Sequence, residues 1–184
     1  SDIAQARRSV MAAVRESFEE TGILLAGEDD QDVVEHSSTP EFMAWREAVA
    51  AQDKSFSDFL TSSGLSVRAD LLRPVARWQS PDFFLKRYDI AYFTTALPVG
   101  QDPKLLLGKG VWGDWLNVRE LLEAKDTSEL GDRIGQPNTV GRTLDQLITP
   151  GVMCMLESLA KAQTSVAWLS KRRKIEVKKP VLVT

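Results

Sequence analysis

Three glutamates, Glu16, Glu19 and Glu20, lie close together near the start of the chain. Spacings of three and four place them on one face of a helix, where like charges repel by roughly 0.2–0.5 kcal/mol per pair. They also fall in the last turns of the predicted helix, where the negative end of the helix dipole disfavours carboxylates. A divalent cation would relieve both penalties, and carboxylates without His or Cys suit Mg²⁺ or Mn²⁺. The spacing by itself also fits a solvated acidic face.

Arg15 comes directly before the first of these glutamates. A guanidinium at this position can neutralise part of the cluster or hold one carboxylate by a charge-assisted hydrogen bond. Acidic side chains that break two local rules at one place are typical of functional sites. Glu16, Glu19 and Glu20 are therefore candidate metal ligands, with Arg15 as their partner, and a solvated acidic face is the alternative that the spacing leaves open.

The helix that must position this cluster is predicted over residues 3–21, with Ser1 or Asp2 as its cap. Its evidence is a set of apolar residues at helical spacing, namely Ile3, Val10, Val14 and Phe18. Gly22 fits the left-handed position that ends many helices. A short strand is predicted over 23–26, and an acidic loop over 27–39.

The middle of the chain predicts two further helices and then several strands. Thr39-Pro40 is a strong helix start, and a second helix around 56–62 ends at Gly64. These helices, within about 39–64, are predicted to form an insertion on an α/β core. The predicted strands are 71–78 and 88–97, with weaker candidates at 105–107 and 111–116.

The last third of the chain is predicted to be mostly helical. The expected elements are a helix over 117–124, a loop over 126–146 with a helical turn near Leu144, helices over 149–162 and 166–170, and a basic strand within 174–184. Six of the nine residues in the segment 171–179 are Lys or Arg, and one is Glu. We interpret it as a basic strand edge that discourages edge-to-edge pairing; a patch that attracts phosphates or acids is the alternative.

Composition narrows the class of protein. The chain has 184 residues, of which 43% are hydrophobic and 27% charged, so we expect one globular domain over residues 1–184. Its net charge of −3 argues against a nucleic-acid partner. The single cysteine, Cys154, is expected to be a buried small hydrophobe. Because no apolar run is as long as a membrane span and no signal-peptide pattern is seen, we expect a cytoplasmic protein without a membrane partner.

The segment from Arg15 to Ile23, RESFEETGI, resembles the second half of the Nudix box, R-E-U-x-E-E-x-G-U, in which U is a bulky aliphatic residue. Every fixed residue of that half is present, and only Ser17 departs, at the first U. The resemblance implies an α/β fold: a Nudix-type α/β/α sandwich around a mixed sheet, with the first helix carrying the glutamates.

The resemblance also implies an activity. Nudix hydrolases cleave a nucleoside diphosphate linked to another group, between the two phosphorus atoms, with Mg²⁺ or Mn²⁺ as cofactor. The matching residues, Glu16, Glu19 and Glu20, would be metal ligands and, with Arg15, catalytic residues. The general base would be one of these glutamates or an acid from a distant loop, for which Asp114 is the candidate. The partner is then a small-molecule substrate, and a homodimer is left open.

A second resemblance concerns the middle of the chain. It rests on Leu72-Arg73-Pro74, on Arg77-Trp78-Gln79-Ser80-Pro81 and on the run from Lys86 to Phe93. These stretches are similar to the branch that includes the peroxisomal coenzyme A diphosphatase, which implies coenzyme A or an acyl-coenzyme A as substrate.

One half of the Nudix box is not present at its usual spacing. The positions at which the box has an upstream Gly and Glu hold Ser1 and Arg7 here. We therefore expect that an N-terminal piece of the domain, with its first strands, is missing from these residues. Two alternatives follow: a non-catalytic Nudix-fold module that binds a nucleotide or protein, or an inactive fragment of the enzyme. A third hypothesis is an α/β interaction protein that dimerises through the apolar helix around Val152–Leu156.

Overall fold

The computed structural model describes residues 3–181, and the chain divides into two compact units. Unit 1 comprises residues 1–73 and 93–113, and unit 2 comprises residues 74–92 and 114–184. The predicted cap at Ser1 or Asp2 and the last three residues of the predicted final strand lie outside the described residues. The expectation of a single domain stays a prediction.

Unit 1 begins with the long helix that the sequence predicts. Its elements are α1 (Ile3–Thr21), β1 (Ala26–Gly27), α2 (Pro40–Ala50), α3 (Phe56–Ser62), β2 (Ser66–Val67) and a 3₁₀ turn (Ala69–Leu71). The two short strands pair antiparallel, with Ala26 opposite Val67. The side chains of Thr39 and Ser55 accept hydrogen bonds from backbone N–H groups in the first turns of α2 and α3, which is why these helices begin where the sequence predicts.

The core of unit 1 is aromatic and holds α1 in place. Phe18 and Phe59 are fully buried, and their rings stack with centroids 4.9 Å apart. Phe56 and Val49 close the same core from α3 and α2. Burial of such a side chain stabilises the fold by about 1.5–3 kcal/mol, so the end of α1 that carries the glutamates is firmly anchored.

Unit 2 combines a small sheet with short helices. The chain forms β3 (Arg73–Gln79), β4 (Asp89–Thr94), α4 (Val118–Glu123), α5 (Glu129–Ile134), α6 (Leu144–Leu147), α7 (Pro150–Ala160), α8 (Ser165–Ser170) and β5 (Val177–Lys178). The first residue of β3 and the last two of β4 belong to unit 1. The strand order is β4-β3-β5, and β5 runs parallel to β3 with Lys178 opposite Trp78. Helix α4 packs on α7, and Arg119 donates hydrogen bonds to the carbonyls of Ala160 and Ala162.

Several predicted elements were wrong. The residues described at 105–107 and 111–116 form no strand, because the chain turns between them: Lys109 N–H donates to Leu106 O at 3.0 Å, and Gly108 has a φ of +85°. Of the strand predicted over 23–26, only its last residue lies in β1. The loop predicted over 126–146 contains helix α5, whereas the helical turn expected near Leu144 is confirmed as α6.

The neighbouring strands β3 and β4 carry a compact polar cluster around Asp89. Arg77 donates from Nε to Oδ1 at 2.7 Å and from Nη2 to Oδ2 at 2.5 Å. Gln79 adds a third bond to Oδ2 at 2.9 Å. These hydrogen bonds, above all that from Arg77, hold the pKa of the Asp89 carboxyl below its ordinary value.

Among the helices described in residues 3–181, none is both long enough and apolar enough to cross a membrane.

The lowered pKa of Asp89 predicts how the stability of the protein depends on pH. A carboxylate whose pKa is depressed in the folded state stabilises fully above its unfolded pKa of about 3.9 and loses that contribution as pH falls through the folded pKa. At pH 7 we expect Asp89→Asn to lower the free energy of unfolding by about 1 kcal/mol. The loss is small because solvent screens a partly exposed ion pair. Urea unfolding should show this gap closing as the pH falls below about 4.

Asp126→Asn is the matched control, because Asp126 is an exposed carboxylate of the same unit. Its stability should follow that of the parent at every pH. A gap between parent and Asp89→Asn that is equally large at pH 7 and at pH 2.5 would contradict this account of the cluster.

Candidate active site

The last turns of α1 place the three predicted glutamates in different surroundings. The side chain of Glu19 is 9% exposed and that of Glu16 is 63% exposed, while Glu20 is exposed. Burial of a charged carboxylate is costly unless it is paired. The buried carboxylate of Glu19 therefore requires cationic partners from unit 1, whereas the exposed carboxylates of Glu16 and Glu20 do not.

Two cations meet Glu19, one at each carboxylate oxygen. Arg15 contacts Oε1 through Nη1, and its Nη2 lies 3.3 Å from Oε1 of Glu16. Lys109 approaches from the turn after residue 104, with its Nζ 3.7 Å from Oε2 of Glu19. The sequence identifies Arg15 because it is adjacent, but Lys109 carries no local signal and was missed.

A buried arginine from α2 closes the end of α1. Arg46 is 1% exposed; its Nε donates to Glu19 O at 3.0 Å and its Nη2 donates to Lys104 O at 2.8 Å. The carbonyls in the last turn of a helix have no partner within the helix and favour a nearby cation. Burial lowers the pKa of the Arg46 guanidinium from its ordinary value. Arg46 thus ties the backbone at Glu19 to the segment that leads to Lys109.

Gly22 is required at the end of α1 for two reasons. Its φ of +77° is the left-handed conformation that other residues rarely adopt. A Cβ at this position would also lie 3.1 Å from Nη1 of Arg46. The predicted helix end at this glycine is therefore confirmed, and the glycine additionally makes room for the buried guanidinium.

The segment after α1 is held by the side chain of Gln101. Leu24 N–H donates to its Oε1, and its Nε2 donates back to Leu24 O, both at 2.8 Å; Nε2 also donates to Val34 O at 2.5 Å. This amide occupies backbone groups that a strand neighbour would otherwise use, which explains why no longer strand forms from Ile23 onward. Sequence reasoning gave Gln101 no role.

Two other predicted residues belong to unit 2. Asp114, the candidate distant acid, pairs with Arg133 and accepts a hydrogen bond from Trp115 N–H at 2.7 Å; its catalytic role stays a prediction. Cys154 is exposed, so the expectation of a buried cysteine was wrong. It lies on α7 among half-buried neighbours.

The glutamates suit a hard divalent cation by chemistry but not by arrangement. Their oxygens are the ligands that Mg²⁺ and Mn²⁺ prefer. In residues 3–181, however, no group of three or more acidic, His or Cys side chains is placed so that it could hold a metal ion. Both oxygens of Glu19 already face cations. As arranged, these residues do not fit the ion.

Comparison with known proteins identifies the fold. No family model matches the chain, and no curated protein matches it. Among solved structures, the chain is similar to the crystal structure of a NUDIX hydrolase from Alicyclobacillus acidocaldarius, with a TM-score of 0.64 and 18% identity. The match covers 88% of this chain and 65% of that chain, so this chain spans less than two thirds of the solved structure. The protein therefore has a mixed α/β, Nudix-like fold with small sheets.

The buried guanidinium of Arg46 predicts a large effect for a conservative substitution. Lysine has one ammonium group and cannot reproduce two divergent N–H donors on a planar fork. Arg46→Lys leaves at least one buried carbonyl without its donor, and we expect a loss of about 2–4 kcal/mol in the free energy of unfolding. Urea unfolding measures this loss.

Arg8→Lys serves as the control, because Arg8 is exposed on α1. We expect it to change the free energy of unfolding by less than about 0.5 kcal/mol. If Arg46→Lys were as stable as Arg8→Lys, the hydrogen bonds of Arg46 to Glu19 O and Lys104 O would not be needed for the stability of unit 1.

Proposed function

We propose that this protein is a metal-dependent hydrolase that cleaves the diphosphate linkage of a nucleoside diphosphate derivative, with coenzyme A or an acyl-coenzyme A as the first substrates to test. The observation that carries the proposal is the Arg15–Ile23 segment on a chain with a Nudix-like fold. We also propose that the fold has the α/β/α layers of the Nudix sandwich. The proposed substrate is a small molecule.

The proposed roles come from the match of these residues to the Nudix box, and the structure gives each side chain a different exposure. Glu16 and Glu20 are exposed and accessible to a ligand, whereas Glu19 is buried and fixed by its partners. Mg²⁺ or Mn²⁺ is the proposed cofactor, with Glu16, Glu19 and Glu20 as ligands and Arg15 as the group that orients Glu19. Such an ion would neutralise the charge of a diphosphate. For it to bind, Glu19 has to give up its contact with Lys109.

The second candidate is a Nudix-fold module that binds a nucleotide or a protein without cleaving it. The ion pairs of Glu19 favour this reading, because two cations already satisfy the carboxylate that a metal would need. The retention of three clustered glutamates favours the hydrolase, since a binding module has no need for their mutual repulsion. Hydrolysis and metal binding distinguish the two.

The first experiment is hydrolysis of a panel of diphosphates, namely coenzyme A, ADP-ribose, NADH and a dinucleoside polyphosphate, with Mg²⁺ or Mn²⁺. We expect cleavage that requires the metal and falls at least about 100-fold in Glu20→Gln and in Glu19→Gln. Glu20 is exposed, so its variant should fold normally; circular dichroism checks Glu19→Gln, which leaves Arg15 and Lys109 without their buried partner.

Glu28→Gln is the matched control, because Glu28 is an exposed glutamate of the same unit; it should retain full activity. Cleavage of no member of the panel, together with metal-independent binding of a nucleotide, would favour the binding module. Cleavage that survives both Glu19→Gln and Glu20→Gln would remove these residues from the proposed site.

The ion pair between Lys109 and Glu19 predicts a change in metal affinity. Removal of a positive charge next to a metal ligand strengthens the attraction of the remaining carboxylates for a cation. We expect Lys109→Met to bind Mn²⁺ roughly 3- to 10-fold more tightly than the parent. The electron paramagnetic resonance signal of free Mn²⁺ measures this affinity directly and without turnover.

Lys104→Met is the control, since the ammonium of Lys104 lies 3.7 Å from Asp102 instead. It should bind Mn²⁺ as the parent does. Equal affinity in Lys109→Met and the parent would mean that Lys109 does not compete with the metal. Failure of all three proteins to bind Mn²⁺ would exclude the glutamates as a metal site.

A further inference from the structure

Unit 2 contains a cavity of about 240 Å³ whose lining includes none of the three glutamates and neither of the cations that contact Glu19. Its walls come from β3, from α7 and from the segment 171–178 that leads into β5. The sequence analysis singles out this segment for its basic residues, and the proposed hydrolase activity makes no use of it.

The lining of the cavity is strongly basic. The charged residues that line it are Lys171, Arg173, Lys174, Lys178 and Glu176. The one acid among them is already paired, because Lys174 Nζ lies 3.1 Å from Glu176 Oε1. Three positive charges therefore surround one small space without a matching negative charge in the lining, and like charges so placed attract an anion.

Arg173 is held in place by contacts that leave its charge available. Its guanidinium lies over the ring of Trp168, 4.0 Å from the ring centroid. It donates to Trp168 O at 2.7 Å and to Lys171 O at 3.1 Å. These bonds use two of the five N–H donors of a guanidinium. A guanidinium whose orientation is already fixed by the protein loses little conformational freedom when it binds an oxyanion.

Trp78 gives the cavity a stiff aromatic wall. Gly151 packs so closely on its ring that a Cβ there would lie 3.3 Å from the indole carbons. The ammonium of Lys178 lies 5.5 Å from the centroid of the same ring, which keeps this cation at the cavity. The lining thus combines one guanidinium held in place, two lysines and an aromatic wall.

We propose that this cavity binds a small phosphate-bearing anion, with a diphosphate as the best fit to three cations that have no acidic partner within residues 3–181. Its volume lies below the roughly 300–1,000 Å³ of pockets that enclose whole drug-sized ligands, which favours a compact anion or the diphosphate end of a larger one. Arg173 would supply paired N–H donors to the phosphate oxygens, and Lys171 and Lys178 would supply point charges. The proposal does not depend on the hydrolase activity.

The single cysteine of the chain provides a direct reporter. Cys154 is exposed and lines this cavity, so an anion bound there should shield its thiol. The measurement is the rate at which the neutral reagent 4,4′-dithiodipyridine modifies Cys154, with EDTA present to remove divalent metals. We expect inorganic pyrophosphate to slow the reaction several-fold and saturably, compared with sodium chloride of equal ionic strength.

Variants assign the effect to the basic lining. The double variant Lys171→Met, Lys178→Met should lose most of the protection by pyrophosphate, because two of the three unpaired charges are gone. Lys161→Met is the control: Lys161 is an exposed lysine at the end of α7 and does not line the cavity, so protection should persist. A parallel series with ADP shows whether the anion must be free, or whether a diphosphate attached to a nucleoside also binds.

Two results would overturn the proposal. One is protection of Cys154 by pyrophosphate that is no greater than that by sodium chloride at the same ionic strength, which would leave the segment as a basic strand edge. The other is equal protection in the parent and in the double variant, which would place the anion elsewhere. Because no metal is present and no hydrolysis is measured, neither result bears on the proposed hydrolase.

Discussion

The buried guanidinium of Arg46 is the interaction on which the arrangement of unit 1 depends. It joins the carbonyl of Glu19, in the last turn of α1, to the carbonyl of Lys104, in a segment distant in sequence. A fully buried cation of this kind is tolerated because it satisfies carbonyls that the end of a helix leaves free. Gly22 makes room for it, so the end of α1 and the position of Arg46 determine each other.

This tie has a consequence for the charge of the candidate site. Arg46 and the hydrogen bond from Lys104 N–H to Thr21 O at 2.8 Å together hold residue 104 against the end of α1. The turn that follows carries Lys109 to the carboxylate of Glu19. Arg15 reaches the same carboxylate from within the helix. The buried glutamate is therefore neutralised by two cations of different origin, one adjacent in sequence and one brought by the fold. A divalent ion at these glutamates would have to compete with both.

Unit 2 uses positive charge in a different way. At Glu19 the cations are compensated by a buried acid, whereas in the lining of the basic cavity three cations have no acidic partner among the residues that the structure describes. Lysine and arginine side chains thus neutralise a buried carboxylate in unit 1. In unit 2 they leave a net positive charge around the cavity. The first arrangement stabilises a fold; the second costs stability through repulsion unless an anion or solvent ions balance it.

Short-range features of the sequence determined much of the local structure. The caps at Thr39 and Ser55, the helical spacing of the apolar residues in α1 and the left-handed glycine after it act within a few residues, so pattern reasoning located these helices correctly. The cluster of glutamates with Arg15 is local in the same sense. The strand expected over 105–107 failed because the chain turns there: Lys109 N–H donates to Leu106 O and Gly108 adopts the left-handed conformation, and a run of leucines does not predict such a turn.

Only the tertiary structure decided which of these residues meet. Arg46, Gln101 and Lys109 act on α1 and the segment after it across long stretches of chain, and no periodicity or spacing links residues that far apart. Burial also distinguishes Glu19 from Glu16 and Glu20, although all three are glutamates in one short segment of the sequence. The sequence by itself determined the helix and the chemistry of its side chains. Packing decided which carboxylate is buried and which cations neutralise it, because both depend on contacts between segments that only the folded chain brings together.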